Sequence, residues 1–190
     1  MNYDKLEESQ EMIFVIINLN ARLQPIHRGE FFEDLFEEVL AHHGIGTVTG
    51  GGTLQKPSGE ICNCDIEINI RKNQVSNFLS FLNKVDIIPK GSKLEYDDNN
   101  VEIGSAEGLA LYLNRNELSE EVYKNNDVNI LIGELEASLG DTGQWLSYWE
   151  GGMEIGLYYY GKSFIEMKEK MSYIIQSHPL CEKCRIEHIA

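Results

Sequence analysis

Four cysteines in two close pairs, Cys62-Asn63-Cys64 and Cys181-Glu182-Lys183-Cys184, are the residues of this chain best placed for chemistry. Zinc takes tetrahedral thiolate coordination, and two such pairs brought together would supply it. A single residue between ligands makes a poor chelate, since both sulfurs rarely reach one ion. In a strand, alternation already puts Cys62 and Cys64 on one face, where a thiol packs as a small apolar group. Structural thiols are therefore the first reading, and zinc bound by Cys62, Cys64, Cys181 and Cys184 is the alternative. A redox role for Cys181 and Cys184 would want a helix N-terminus behind the motif to acidify a thiol. The segment that follows, Cys184 to Ile189, reads instead as a strand.

Other constellations are weaker. Gly50-Gly51-Gly52 lacks the lysine, hydroxyl and following helix of a phosphate cradle and reads as a turn. His42 and His43 diverge on a helix end, where they suit the dipole, and His27, His178 and His188 are scattered. No G-x-S-x-G or H-E-x-x-H spacing occurs. The profile is that of a non-enzyme that needs no cofactor.

The elements around these residues follow from periodicity. Met12 to Leu19 is an apolar strand, and Glu30 to His43 a helix whose stripe is Phe31, Leu35, Val39 and Leu40. Ile45 to Thr49 and Cys64 to Ile70 read as strands, Gln74 to Val85 as a helix, and Lys93 to Tyr96 as a short strand. Tyr96 to Gly108, rich in Asp, Asn and Glu, is the expected linker. Leu109 to Leu113 opens a second series. It continues with a helix capped by Asp127 and running to Leu139, and an aromatic hairpin over Trp145 to Tyr160 turning at Glu150-Gly151-Gly152. A helix from Ser163 to Gln176 and a last strand complete it. Both series run β-α-β-β-α-β. The expectation is an α+β protein of two tandem ferredoxin-like halves, residues 1–98 and 99–190, each an antiparallel sheet with helices on one face.

Such a sheet leaves its other face open. In the first half that face would carry Asp65, Glu67 and Asn69; in the second, Glu154, Tyr158 and Tyr160, with Trp145 or Trp149 alongside. Aromatics beside carboxylates suit a protein interface, the rings as buried anchors and the acids steering a basic partner. The competing reading makes the Trp and Tyr residues inter-half core. It has the edge for them, and the interface reading for Asp65 and Glu67.

Composition narrows the partner. Sixteen Lys and Arg against 31 Asp and Glu leave a net charge of −15, with 42% hydrophobic and 25% charged residues. Nucleic acid and anionic membranes would be repelled; a basic protein would be attracted. Polar, acidic Met1 to Glu11 does not read as a leader, so a cytoplasmic location with reduced cysteines is expected. In general character, over the whole chain and without a diagnostic motif, the protein resembles bacterial immunity proteins. The resemblance implies an inhibitor that covers the basic cleft of a toxin domain. The alternative is a regulatory module that binds zinc or a small ligand through the cysteine pairs or the cleft between the halves. Edge strands would permit a homodimer.

Overall fold

Ile13-Phe14-Val15-Ile16-Ile17 is apolar on both faces, and it forms β1 (Met12–Leu19) at the centre of a sheet. The structure, a computed structural model, describes residues 11–190, so the polar segment 1–10 expected to hold no leader lies outside the described residues. β1 pairs antiparallel with β3 (Ile61–Arg71) on one side and β4 (Ser92–Tyr96) on the other. β2 (Gly46–Gln55) extends the sheet beyond β3 and β5 (Asn99–Ile103) beyond β4, giving the order β2-β3-β1-β4-β5.

Helices cover one face of this sheet. α1 (Pro25–Arg28) starts with proline at its first positions, where the missing N–H costs nothing. A π-helical turn over Gly29–Glu33 carries it into α2 (Asp34–His42). The helix expected from Glu30 thus begins earlier, and the wider π turn rotates the buried stripe to Phe32, Phe36 and Leu40. α3 (Val75–Leu82) buries Val75, Phe78 and Leu82, and the Phe36 ring meets those of Phe78 and Phe81 at 6.0 and 6.2 Å.

Two segments depart from the sequence reading. The glycine run expected as a turn lies inside β2, where Gly50, Gly51 and Gly52 pair with Glu67, Ile66 and Asp65. The turn proper comes later, with Gly59 at φ +83° and its N–H bonded to the Lys56 carbonyl. Gly51 is required by close approach, because a Cβ there would sit 2.5 Å from the Asp65 carbonyl oxygen and 3.0 Å from the Arg28 guanidinium. A bulge between Val48 and Gly50 is held by Glu37, whose carboxylate accepts the Val48 N–H at 2.6 Å. The stretch expected as a linker contains β5, which pairs along β4 from Ser92–Ile103 to Tyr96–Asn99, so the proposed 98/99 boundary falls in a hairpin turn.

The second sheet holds β6 (Glu107–Asn114), β7 (Gly143–Glu150), β8 (Glu154–Gly161) and β9 (Arg185–His188) in the order β7-β8-β6-β9, antiparallel throughout. After β6 comes α4 (Glu120–Asn125), which the sequence reading lacks, then α5 (Val128–Leu139). The Asp127 side chain caps α5 by accepting the Asn129 N–H at 2.8 Å, and Ser163 caps α6 (Phe164–Ser177). At the hairpin tip neither Gly151 nor Gly152 has positive φ; Gly151 is small because the Trp149 indole lies directly against it. Connected this way, β1 to β4 and β6 to β9 share one strand order.

Burial divides the sheets unequally. Leu109, Leu111, Leu113, Leu157 and Tyr159 face α5 and α6 in one core. Ala110, Tyr112, Tyr158 and Tyr160 point the other way and join Val15, Ile17, Phe32, Phe36 and Ile66 in a second core. The face of the second sheet expected to be open is therefore covered by the first unit. Among the described residues no helix is long and apolar enough to cross a membrane.

Candidate functional site

The seam between the units is organised by one carboxylate. Glu60, immediately before β3 and 6% exposed, accepts hydrogen bonds from Arg22 at 2.5 Å, Lys56 at 2.7 Å, Tyr158 at 3.0 Å and Tyr112. Arg22 also reaches Tyr112, and its backbone N–H donates to Tyr160 Oη at 2.8 Å. Burial opposes the charge of Glu60, but the bonds from Lys56 and Tyr112 and the Arg22 charge prevail and hold its carboxyl below the ordinary 4.5. Arg22 is likewise opposed by burial and raised by Tyr112 and Glu60. Burial pushes the Tyr112 and Tyr158 phenols up. The bonds of Glu60 and Arg22 to Tyr112, Tyr158 and Tyr160 cross from one unit to the other, so the arrangement binds the two units together. Arg185 sits beside it, stacked 3.6 Å from the Tyr112 ring centroid and bidentate to Glu154 at 2.6 and 2.7 Å.

A second contact crosses the seam at Ser147, fully buried by a bulge in β7 that turns both Leu146 and Ser147 toward the first unit. Its Oγ accepts the Gln24 N–H at 3.0 Å and pairs with His27 Nδ1 at 2.9 Å. The His27 ring lies edge-on to Trp145, centroids 5.1 Å apart. Burial lowers the His27 pKa from its ordinary 6.5.

Acid is expected to loosen the seam in two steps. Below about pH 6.5 the unfolded chain takes up a proton that folded His27 resists. Below 4.5 the same holds for Glu60. Both folded values are depressed, so both contributions are present at higher pH and lost as pH falls. Urea midpoints measured from about pH 7 to 4 should decline; a flat profile would remove this account.

Neighbouring tyrosines on β8 should respond oppositely to loss of the hydroxyl. Tyr159 Oη is buried with no hydrogen-bond partner among the described residues, so Tyr159→Phe should leave stability unchanged or raise it by about 1 kcal/mol. Tyr158→Phe removes a bond to a buried carboxylate and should cost roughly 1–3 kcal/mol. Chemical denaturation of both variants compares them directly.

Among the described residues, the surface that remains free is the helix-free face of the first sheet. Its residues are fixed by register: Phe14 opposite Asn69, Ile16 opposite Glu67 and Glu95, Asn18 opposite Asp65 and Lys93. Phe14 is 52% exposed. Asn18 Nδ2 donates to Asp65 at 2.6 Å, which fixes that carboxylate. On the neighbouring β2 the facing positions are Gly50 and Gly52, where added Cβ atoms would come within 3.2 Å of the Glu67 carboxylate and 3.7 Å of Asp65. A strip of bare backbone therefore runs beside the acids. No Lys, Arg or His pairs with Asp65, Glu67 or Glu95 among the described residues.

The eight residues expected to bind a partner do not converge. Asp65, Glu67 and Asn69 lie half-buried on the free face, as alternation requires. Tyr158 and Tyr160 are fully buried in the seam, which corrects their placement on an open surface: the first unit needs that area to complete its core. Trp149 packs toward the same core, 3.8 Å from the Gly59 Cβ position, and Trp145 turns to the helix side. Glu154 is engaged by Arg185. Sequence reasoning missed Phe14 and Ile16 as surface residues, although their alternation with buried Val15 and Ile17 carried the signal, and missed Glu60, which has no local signature.

Nor do the cysteines gather. Cys64 is buried in the first core, its thiol pushed up to about 12 by burial, and Cys181 is buried in the second. No three His, Cys, Asp or Glu side chains among the described residues come together as a metal set. The four-thiolate site has no counterpart among the described residues, since Cys64 packs in the first core and Cys181 and Cys184 in the second.

No protein-family model matches the chain, and no curated protein does. Among solved structures, a candidate monooxygenase from Lactobacillus acidophilus is 13% identical, with 95% of this chain and 94% of that one covered at a TM-score of 0.33. A second, from Fusobacterium nucleatum, is 12% identical over 95% and 92% at 0.32. The first two RRM domains of yeast poly(U) binding protein are 14% identical over 93% and 99% at 0.26. Likenesses this distant carry no argument about activity.

Proposed function

We propose that the chain is a non-enzymatic, cytoplasmic binding protein of the immunity type, which blocks a basic toxin domain by covering its active cleft. The observation that carries this reading is the helix-free face of the first sheet. Phe14 and Ile16 supply apolar anchor area there, and Asp65, Glu67 and Glu95 flank them with no paired cation among the described residues. An exposed aromatic ringed by carboxylates fits a partner rich in Lys and Arg, and the overall charge of −15 steers such a partner in. The glycine strip of β2 gives long basic side chains room to lie against backbone.

In the same reading, the two β-α-β-β-α-β units are tandem ferredoxin-like halves that arose by duplication. Their shared strand order supports this. The second half then serves as the support that completes the first half's core, leaving only one sheet face for the partner.

The test is titration calorimetry against the basic C-terminal domain of a large secreted protein encoded beside this gene. Affinity should be high at low salt and fall as salt rises. Absence of salt-sensitive binding would overturn the proposal.

A further inference from the structure

The C-x-x-C motif behaves differently from the rest of the cysteine chemistry. Cys181 ends a short 3-10 turn, Pro179–Cys181, and Cys184 stands immediately before β9. The intervening chain folds back sharply: Cys184 N–H donates to the Cys181 carbonyl at 3.1 Å, and Lys183 takes φ +59°. That left-handed conformation is unfavourable for a residue with a Cβ, and only one other described non-glycine residue, Asp97, adopts positive φ. The turn that Lys183 closes brings the two cysteines together across a single tight turn. Cys181 is 5% exposed and packed in the second core, while Cys184 is half-buried against the same core. Cys184 is thus the more accessible of the two.

We propose that Cys181 and Cys184 form a reversible dithiol–disulfide pair, a modification site for small aliphatic disulfides of the glutathione class. The half-buried Cys184 thiolate attacks one sulfur of the oxidant, forming a mixed disulfide and releasing one thiolate. Cys181 Sγ then attacks Cys184 Sγ; the Cys184–oxidant bond breaks, and the second thiolate leaves with its electron pair and the Cys181 proton. In sum, two protein thiols and one disulfide become one protein disulfide and two small thiols. Pairing with Cys181 lowers the Cys184 thiol from its ordinary value, and Cys184 is the less buried of the two, so Cys184 is the attacking sulfur. The same pairing, and then burial, raise Cys181, which suits it to resolve rather than attack. Oxidation would clamp the turn that delivers β9 to its pairing with β6. This site is independent of the partner-binding face.

The experiment treats the native full chain with glutathione disulfide at neutral pH, alkylates free thiols after acid quench, and maps the peptides by mass. The wild type should show a Cys181–Cys184 disulfide and no lasting glutathione adduct, while Cys62 and Cys64 remain alkylated. Cys181→Ala should trap the adduct on Cys184 and move the pH midpoint of Cys184 alkylation up by about one unit or more. A stable adduct on wild-type Cys184 would overturn the proposal. So would a Cys181–Cys184 disulfide that forms only in denaturant.

Discussion

Replacing Glu60 by alanine should cost about 3–5 kcal/mol of stability, the range for removing one partner from a buried ion pair. The side chain of Glu60 is 8% exposed and that of Arg22 15%, so water screens the pair little. Alanine at this position would strand the Arg22 charge beside two phenols that had donated to the lost carboxylate. In a chain of this size the loss corresponds to a fall in Tm of roughly 10 °C. Glu60→Gln keeps an acceptor for the tyrosines while losing the charge, and should cost less. Trp145 and Trp149 both lie in the second unit, so their fluorescence follows the seam from one side during urea unfolding. A cost under about 1 kcal/mol for Glu60→Ala would mean that the network does not hold the units together.

The second large effect concerns the partner. Phe14→Ala and Glu67→Lys should each weaken binding of the basic domain by roughly 30- to 1000-fold, as expected for a central anchor and for a reversed charge beside it. Neither should unfold the protein, since Phe14 is more than half exposed and Glu67 pairs with no cation among the described residues. The Glu67→Lys effect should appear mainly in the association rate and shrink with added salt, whereas Phe14→Ala should raise the dissociation rate at any salt. Gly52→Leu offers a third handle: its Cβ has ordinary clearance, 3.7 Å from Asp65, and the side chain would fill the bare strip without altering any charge. If all three variants bind like the wild type by calorimetry, the partner does not use this face.

These two effects involve opposite sides of the first sheet, and they were not equally visible in the sequence. Asp65, Glu67 and Asn69 alternate with Cys64, Ile66 and Ile68, and alternation is a local property that survives into the sheet. The same rule placed Tyr158 and Tyr160 together on one side of β8, correctly, and could not say what would lie against that side. The glycine run illustrates the converse. Locally it has every mark of a turn, yet β3 supplies a partner for each residue and Arg28 lies across Gly51, so strand wins.

By itself the sequence determined the order of most strands and helices, though not β5 or α4, the apolar stripe of most of them, the caps at Asp127 and Ser163, and the strongly negative charge. Those depend on neighbours three or four residues away, or on a sum over the chain. Only the tertiary structure decided which sheet face stays free, why Glu60 is charged in a near-dry seam, and which cysteines meet. Each of these requires groups far apart in the chain to become neighbours, and the free energy of that meeting rests on area buried and hydrogen bonds completed across the seam, quantities that no short stretch of residues contains.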